Sequence, residues 1–169
     1  MTLMEQLARR RVSLGFVTAI VAIVLARPTW VSWRYGLLVA VAGEAIRVWA
    51  AGHLEKSREV TRSGPYRWMR HPLYVGSSVM AAGIVIASHS VVLAIVAAVY
   101  MVATITAAIR TEEAYLRRTF GDTYDRYSRS EGEPMPRRFS LSRVRRNREY
   151  RAATGLAAGF GLLAAKLLL

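Results

Sequence analysis

Cysteine is absent from this chain of 169 residues, which excludes disulfide bonds, thiolate metal sites and cysteine nucleophiles. Acidic residues are few: 11 Asp and Glu stand against 24 Lys and Arg, for a formal net charge of +13. A soluble protein this basic would suggest nucleic acid as a partner. Residues 71–109, however, contain no Asp, Glu, Lys or Arg, and positive charge beside such apolar runs is typical of membrane proteins that face anionic lipid headgroups. We therefore expect anionic membrane lipids, and no nucleic acid, among the partners.

Five apolar stretches predict five membrane-spanning helices. The expected fold is thus an all-α, polytopic membrane helix bundle formed by one domain, residues 1–169. The longest run, residues 73–109, exceeds one span of about 20 residues, and Ser88-His89-Ser90 divides it into two helices. We interpret the first stretch as a retained span and not a signal peptide, because the cleavage pattern at Ala26 is poor. The predicted spans are residues 12–26, 30–51, 73–87, 91–109 and 152–169.

The positive charges predict the orientation of these spans. Basic residues cluster before span one, between spans two and three, and between spans four and five. These segments share one side of a five-span chain, so the positive-inside rule places them in the cytosol, with the N-terminus inside and the C-terminus outside. We expect an integral protein of a bacterial-type inner (plasma) membrane. Short cytosolic helices should follow span four, where Gly121 ends one helix and Asp122 caps the next.

Two features near the C-terminus have plain interpretations. Seven arginines lie between residues 137 and 151 and could simply hold this part of the chain against anionic lipid. In the last span, Gly155 and Gly159 match the small-xxx-small pattern of packed membrane helices, which is common and therefore weak evidence.

A polar loop precedes the uncharged run. Gly64-Pro65 predicts a turn, and Pro72 suits the first turn of a helix, where its missing N–H costs nothing. The free N–H groups of that helix would then lie beside Arg70 and His71, and helix N-termini attract carboxylates and phosphates. Taken singly, these residues could also be topology anchors or a helix cap. Together they predict a candidate anion site at the cytosolic membrane surface.

A second polar cluster, Arg110-Thr111-Glu112-Glu113, follows the uncharged run. Its paired carboxylates offer negative charge for an amine or a sulfonium, or they form a solvated helix start paired with Arg110 or Arg117. A ligand with both a carboxylate and positive charge would match the two clusters. S-adenosylmethionine is such a ligand, although charge matching alone does not select it.

Glu44 and Arg47 lie three residues apart inside the second predicted span, hence on one helix face. Charged residues in a span are expensive and usually face the bundle interior or a water-filled cavity. The pair either neutralises itself and helps packing, or forms part of a cavity wall near the headgroups.

The order of these residues resembles the signature of the isoprenylcysteine carboxyl methyltransferase family, a branch of integral-membrane methyltransferases that also includes phospholipid methyltransferases. The family pattern is Arg-His-Pro-x-Tyr, a hydrophobic hairpin and then Glu-Glu, followed by Phe-Gly and spaced tyrosines. The resemblance covers residues 43–127, roughly half of the chain. The matching residues are Arg70, His71, Pro72, Tyr74, Glu112, Glu113, Phe120, Gly121, Tyr124 and Tyr127.

The resemblance implies S-adenosylmethionine as methyl donor and cofactor, and it implies no metal. It assigns cofactor contacts to Tyr66, His71, Pro72, Tyr74, Glu112 and Glu113. Because a sulfonium methyl is already activated, the protein would act chiefly by positioning and drying the acceptor. A carboxylate acceptor needs no general base, and Arg110 or Arg47 could orient it. A phenol or an amine would lose a proton to His71 or Glu113. The predicted catalytic residues are therefore Arg110, Glu113 and Arg47.

The implied acceptor is a hydrophobic, lipid-like molecule that enters from the bilayer. Carboxyl O-methylation of the isoprenylcysteine type is the first expectation, and phospholipid N-methylation or phenolic-lipid O-methylation is the alternative. Two other classes stay open. A membrane reductase with a nicotinamide cofactor can carry a similar Arg-His-Pro-x-Tyr segment, and a non-enzymatic membrane scaffold could act through the arginines of residues 137–151.

Overall fold

The computed structural model describes residues 20–169, and every regular element in that range is a helix. Residues 20–25 are helical and lead into a bundle of longer helices. The prediction of an all-α fold is confirmed. The helices are α1 at Trp30–His53, α2 at Pro72–Ser88, α3 at Val91–Phe120, α4 at Asp122–Ser128, α5 at Leu141–Arg146 and α6 at Tyr150–Leu168, with a short 3-10 helix at Gly64–Arg67.

Helices α1, α3 and α6 are each long and apolar enough to cross a membrane, and α2 is apolar but shorter, with 17 residues. These four helices contain the predicted spans 30–51, 73–87 and 91–109 and nearly all of 152–169. The remaining predicted span, residues 12–26, lies mostly outside the described residues. The count of five spans therefore stays a prediction.

Local sequence accounts for where the helices begin and end. Thr29 forms a capping box at the start of α1, and Pro72 occupies the first turn of α2. His89 adopts a left-handed conformation, with φ of 49°, that ends α2. The Ser90 side chain then accepts a hydrogen bond from the Leu93 N–H and so caps α3. The tight connection predicted between these two helices is confirmed.

Helix α3 continues through the second polar cluster as far as Phe120. The sequence predicted a separate short helix before Gly121, and this prediction is wrong: residues 110–120 are the last turns of α3. They contain no Gly or Pro, so nothing interrupts the helix until Gly121, where φ is 49°. A helix of 30 residues is about 45 Å long, which exceeds a hydrocarbon core of about 30 Å. The polar end of α3 thus projects beyond the apolar layer.

Glycines let α1 and α2 pack backbone against backbone. A Cβ added at Gly83 would lie 2.5 Å from the Ala40 nitrogen and 2.6 Å from the Gly36 oxygen, and one at Gly43 would lie 2.7 Å from the Gly76 oxygen. Each helix therefore presents two glycines, seven residues apart, to the other. By contrast, a Cβ at Gly155 or Gly159, the predicted small-xxx-small pair, would meet no atom of residues 20–169 within 4 Å.

Helix α6 lies antiparallel to α1. Trp33, near the start of α1, donates from its indole nitrogen to the Phe160 carbonyl at 3.0 Å. At the other end of the pair, Arg47 contacts Glu149, the residue before α6, at 2.7 Å. Helix α6 therefore runs the length of the bundle, and a small core of Ala26, Ala40, Ala87, Phe160 and Leu163 lies at the end where the chain finishes.

Candidate active site

A cavity of about 680 Å³ lies at the polar end of the bundle. It is enclosed by the start of α2, the second half of α3, helix α4 and the loop of residues 54–61 that follows α1. This volume is typical of small-molecule sites. Six of the predicted site residues line it: Arg47, Tyr66, His71, Pro72, Tyr74 and Glu112.

His71 lies at the start of α2, and its ring contacts Glu113 and Tyr74. Its Nε2 lies 3.1 Å from Glu113 Oε1, and its ring centroid lies 5.9 Å from that of Tyr74. Glu113 does not line the cavity. It also pairs with Arg70 at 3.3 Å and with Arg117 at 3.5 Å. Glu113 is thus placed to orient His71, and His71 is the one of the two that faces the cavity.

The other charged residues of the second polar cluster, Glu112 and Arg110, differ in their relation to the cavity. Glu112 is exposed, lines the cavity and forms no ion pair with residues 20–169. Arg110 is also exposed, but it lies outside the cavity wall. Its predicted catalytic function stays a prediction, without a contact in the described part of the chain that supports it.

Arg47 is the most highly connected side chain near the cavity. Its guanidinium contacts Glu149 at 2.7 Å and donates to the Leu73 carbonyl at 3.4 Å and to the Ser77 hydroxyl. Glu44, its predicted partner, is farther away, at 3.7 Å, and both carboxylate oxygens of Glu44 are buried without a hydrogen-bond partner among the described residues. Of the predicted pair, only Arg47 belongs to the cavity wall.

Sequence reasoning missed Glu149 and Ser77. Glu149 is buried, although it lies in an arginine-rich stretch whose composition predicts exposure to solvent. A usable signal existed, because a charged residue inside a span requires a partner of opposite sign, and Glu149 immediately precedes an apolar helix.

A second, smaller cavity of about 340 Å³ lies between α2 and α3, within the apolar part of the bundle. Its walls are almost entirely hydrocarbon, with Met80, Ile84 and Leu93 among them. It shares Arg47, Ser77, Tyr100 and Met101 with the larger cavity. A polar cavity and an apolar cavity therefore meet at Arg47 and Ser77.

Tyrosines close one side of the larger cavity. The Tyr127 hydroxyl donates to the Tyr66 carbonyl at 2.9 Å, which ties α4 to the 3-10 helix. Burial, followed by the charge of Glu113, raises the pKa of Tyr124 to about 12. Burial and the neighbouring Tyr124 raise the pKa of Tyr127 to about 12, and burial raises the pKa of Tyr66 still further above its usual range. These phenols are neutral at physiological pH and cannot act as bases there.

Residues 137–149, which we name the strap, cross over the end of α1. Arg143 donates to the Gly52 carbonyl at 2.7 Å, and Asn147 donates to the Ala51 and Leu54 carbonyls at 2.9 and 3.1 Å. These carbonyls belong to the last turn of α1, which has no partners for them within the helix. The strap is therefore a structural cap on α1.

The strap also holds the loop that covers the cavity. Arg137 binds both carboxylate oxygens of Glu59, one of them at 2.7 Å. Arg146 binds Glu55 at 2.7 Å, and Arg143 lies 3.7 Å from the same carboxylate. Since Glu59 lines the cavity, the strap supports a wall of the site. The prediction that these arginines serve only to hold lipid is therefore incomplete: three of them pair within the protein.

Metal-ligating residues do not gather at this site. Within residues 20–169, no group of three His, Asp or Glu side chains is arranged to hold a metal ion.

Comparisons with known proteins relate part of this chain to a known family. The sequence model of the phospholipid methyltransferase family matches residues 39–123, a range that contains Arg47, the 3-10 helix, His71 and Glu113 but not the strap.

Individual relatives share part of the chain. The nickel-cobalt-cadmium resistance protein NccN of Alcaligenes xylosoxydans xylosoxydans is 33% identical over 114 residues, which cover 64% of this chain and 53% of that protein. The protein-S-isoprenylcysteine O-methyltransferase of Schizosaccharomyces pombe is 30% identical over 95 residues, covering 56% and 40%. Protein-S-isoprenylcysteine O-methyltransferase A of Arabidopsis thaliana is 32% identical over 119 residues, covering 63% and 60%.

This chain spans about half the length of the curated relatives it matches. No solved structure matches it.

Proposed function

This chain belongs to the phospholipid methyltransferase family, and we propose that it transfers a methyl group from S-adenosylmethionine to the polar head of a lipid-like acceptor. The observation that carries this proposal is the meeting of a polar and an apolar cavity at Arg47 and Ser77. Such a junction would let a water-soluble donor and the head of a hydrophobic acceptor approach from opposite sides. The chain is an integral membrane protein, and we propose that the larger cavity faces the cytosol, where the donor is found.

The larger cavity fits the proposed cofactor in size and charge. S-adenosylmethionine carries a carboxylate, an ammonium group and a sulfonium, and it is within the range of ligands that a cavity of about 680 Å³ accommodates. Glu112 supplies a carboxylate without an ion-pair partner in the described part of the chain. Lys56 and Arg70 supply positive charge in the same wall. Opposite charges are thus available for both ends of the amino-acid moiety.

When bound, S-adenosylmethionine supplies a methyl group already activated by its positive sulfur, so the protein's contribution is alignment and exclusion of water. His71, Tyr74 and Tyr66 would form the wall on which the cofactor rests. Glu113 would hold the His71 ring in place through the contact at 3.1 Å. Helix α4 and its tyrosines would keep the site dry on the side facing solution.

A carboxyl group is the first acceptor that we propose, by analogy with the isoprenylcysteine O-methyltransferases of S. pombe and A. thaliana. The electron pair of the acceptor oxygen would form the new O–CH₃ bond as the C–S bond breaks, and no proton would move. Arg47 is the proposed orienting group because it lies where the two cavities meet. For an amine or phenol acceptor, His71 is better placed than Glu113 to take the proton, since only His71 lines the larger cavity.

Calorimetric titration of S-adenosylhomocysteine into the purified protein tests the proposed cofactor. We expect saturable binding to the wild type and a loss of about tenfold, or about 1.4 kcal/mol, in His71→Ala. The matched control is Arg118→Gln, an exposed residue near the end of α3 that does not line the cavity; its affinity should equal that of the wild type. Absence of binding to the wild type would refute the proposed cofactor and favour the scaffold or reductase hypothesis.

A further inference from the structure

The arginines of residues 137–151 divide into two groups. Three of the seven bind Glu55 or Glu59 and so face the protein: Arg137, Arg143 and Arg146. The other four, which we name the outer arginines, are exposed, and their side chains form no ion pair or hydrogen bond with residues 20–169. The outer arginines are Arg138, Arg145, Arg148 and Arg151.

The division has a physical reason. The last turn of α1 and the loop after it offer carbonyl and carboxylate oxygens to one face of the strap. Those acceptors are satisfied by the inward-facing side chains. No described residue pairs with the outer arginines. The strap therefore carries three uncompensated positive charges, and Arg151 adds a fourth in the first turn of α6.

Large apolar side chains are exposed among the outer arginines. Leu141 is 68% exposed and Tyr150 54%. Phe139 is different, because its ring packs against Gly52 and lies 6.2 Å from that of His53. A surface in contact only with water would not need to expose such apolar side chains. Arginine together with tyrosine and leucine is typical of protein surfaces that lie in the headgroup region of a bilayer.

The position along the chain places this surface at headgroup depth. Helix α6 begins at Tyr150, and residues 152–165 of that helix contain no charged side chain. Its first turn must therefore lie at the boundary of the apolar layer. Arg148 and Arg151 are within two residues of that start, which keeps the outer arginines within reach of lipid phosphates.

We propose that the outer arginines, with Leu141 and Tyr150, form a binding surface for the phosphate headgroups of anionic phospholipids. The guanidinium groups would contact phosphate oxygens, and the apolar side chains would insert among the upper acyl carbons. The surface lies outside the part of the chain that matches the family. It is a separate site from the methyl-transfer cavity and does not depend on the proposed function.

Lipid selectivity measured by electron spin resonance tests this proposal on the full chain. The protein is reconstituted in phosphatidylcholine bilayers that contain spin-labelled phosphatidylglycerol or spin-labelled phosphatidylcholine. We expect the wild type to favour phosphatidylglycerol by about twofold or more, an advantage that salt reduces. Arg145→Gln with Arg151→Gln should bring the ratio close to unity.

Two further variants distinguish lipid binding by this particular surface from a general effect of the protein's net charge. Arg118→Gln with Arg129→Gln removes the same charge from α3 and the residue after α4, and should leave the selectivity unchanged. Arg145→Lys with Arg151→Lys keeps the positive charge and should retain most of the selectivity for phosphatidylglycerol. If Arg145→Gln with Arg151→Gln does not fold, Arg138→Gln with Arg148→Gln provides the same test. The proposal would be overturned by equal selectivity in the wild type and these glutamine variants, by an equal loss in the control, or by no selectivity in the wild type.

Discussion

Glu112 and Glu113 are adjacent in sequence, yet their side chains leave α3 about 100° apart, because the helix turns once in about 3.6 residues. Glu112 consequently lines the cavity, while Glu113 turns toward His71, Arg70 and Arg117. Because these groups surround the Glu113 carboxylate, we expect it to orient them and not to bind a ligand. The two residues of one motif therefore have different expected functions: one contacts the cofactor and the other positions a residue that does.

A double-mutant cycle distinguishes these functions. If Glu113 acts through His71, the effects of Glu113→Gln and His71→Ala on S-adenosylhomocysteine affinity should not add, with a coupling energy of about 1–2 kcal/mol. Glu112→Gln should lower the affinity independently, so its effect should add to that of His71→Ala. The measurement is calorimetric titration of the three single and two double variants. Additive effects for Glu113 and His71 would contradict the assignment of Glu113 as a positioning residue.

Arg47 illustrates how a membrane-embedded charge is accommodated. Its guanidinium is largely buried, and it is neutralised by a carboxylate that follows it by about a hundred residues. Removal of one partner from a buried ion pair is costly because the remaining charge has no water to solvate it. The contact between Arg47 and Glu149 thus links the cavity wall to the start of α6.

Among the helices, α1 and α2 form the closest pair, and this packing depends on glycine. Membrane helices gain little from the hydrophobic effect on association, so close backbone approach and dispersion contacts must hold them together. Gly36 and Gly43 on α1 meet Gly83 and Gly76 on α2. The pairing places Arg47 beside the first turns of α2 and so assembles one wall of the cavity.

Gly83→Ala should weaken this pairing. The new methyl group would overlap backbone atoms of α1 at 2.5–2.6 Å, which cannot move aside independently, and we expect a destabilisation of about 1–3 kcal/mol. Gly159→Ala is the matched control: no atom of the described part of the chain lies within 4 Å of its added Cβ, so the better helix propensity of Ala should stabilise the protein by up to about 1 kcal/mol. Thermal unfolding of both variants in detergent measures the difference. Equal midpoints would disprove the backbone contact.

The whole molecule has two unlike ends. The larger cavity, the strap and most of the basic residues share one end, while the apolar core of Ala26, Ala40, Ala87, Phe160 and Leu163 lies at the other. By the positive-inside rule, we expect the basic end to face the cytosol. The proposed donor site and the expected orientation therefore agree.

Reporter fusions test this orientation. Alkaline phosphatase fused after Leu169 should be active, because α6 runs antiparallel to α1 and ends away from the cavity. Green fluorescent protein fused after Glu131, in the segment between α4 and the strap, should be fluorescent because we expect this segment, which the arginine-rich strap follows, to be cytosolic. A fluorescent fusion at Leu169, or phosphatase activity at Glu131, would refute the predicted topology.

Several local features were readable from the chain alone. Apolar runs predicted both ends of α1, α2 and α6 and the start of α3 to within two residues. Pro72 marked the start of α2, and Ser88-His89-Ser90 marked the turn before α3. The order of His71, Tyr74 and the paired glutamates also identified the family. These signals are local, or depend on residues brought together by a single hairpin, so a linear pattern is enough to reveal them.

Long-range contacts were not readable in this way. Glu149 lies in a stretch with the composition of a solvated tail. Only the tertiary structure shows that its carboxylate forms an ion pair with Arg47. Gly36 with Ala40 and Gly83 with Ala87 match the same small-xxx-small pattern as Gly155 with Gly159. The first two pairs pack against each other, whereas Gly155 and Gly159 have no close neighbour among residues 20–169, so the pattern alone does not tell which pair packs. The inner and outer arginines of residues 137–151 cannot be told apart by composition, because what separates them is whether α1 offers an acceptor.

The amino-acid sequence by itself determined the helical class, the membrane location and six of the residues that line the larger cavity, because apolar length, charge and motif order are properties of the chain. Only the tertiary structure decided which glutamate faces the cavity, where the polar and apolar cavities meet and which arginines stay free. Those distinctions depend on the direction of a side chain and on the partner opposite it, and both arise only when the helices pack.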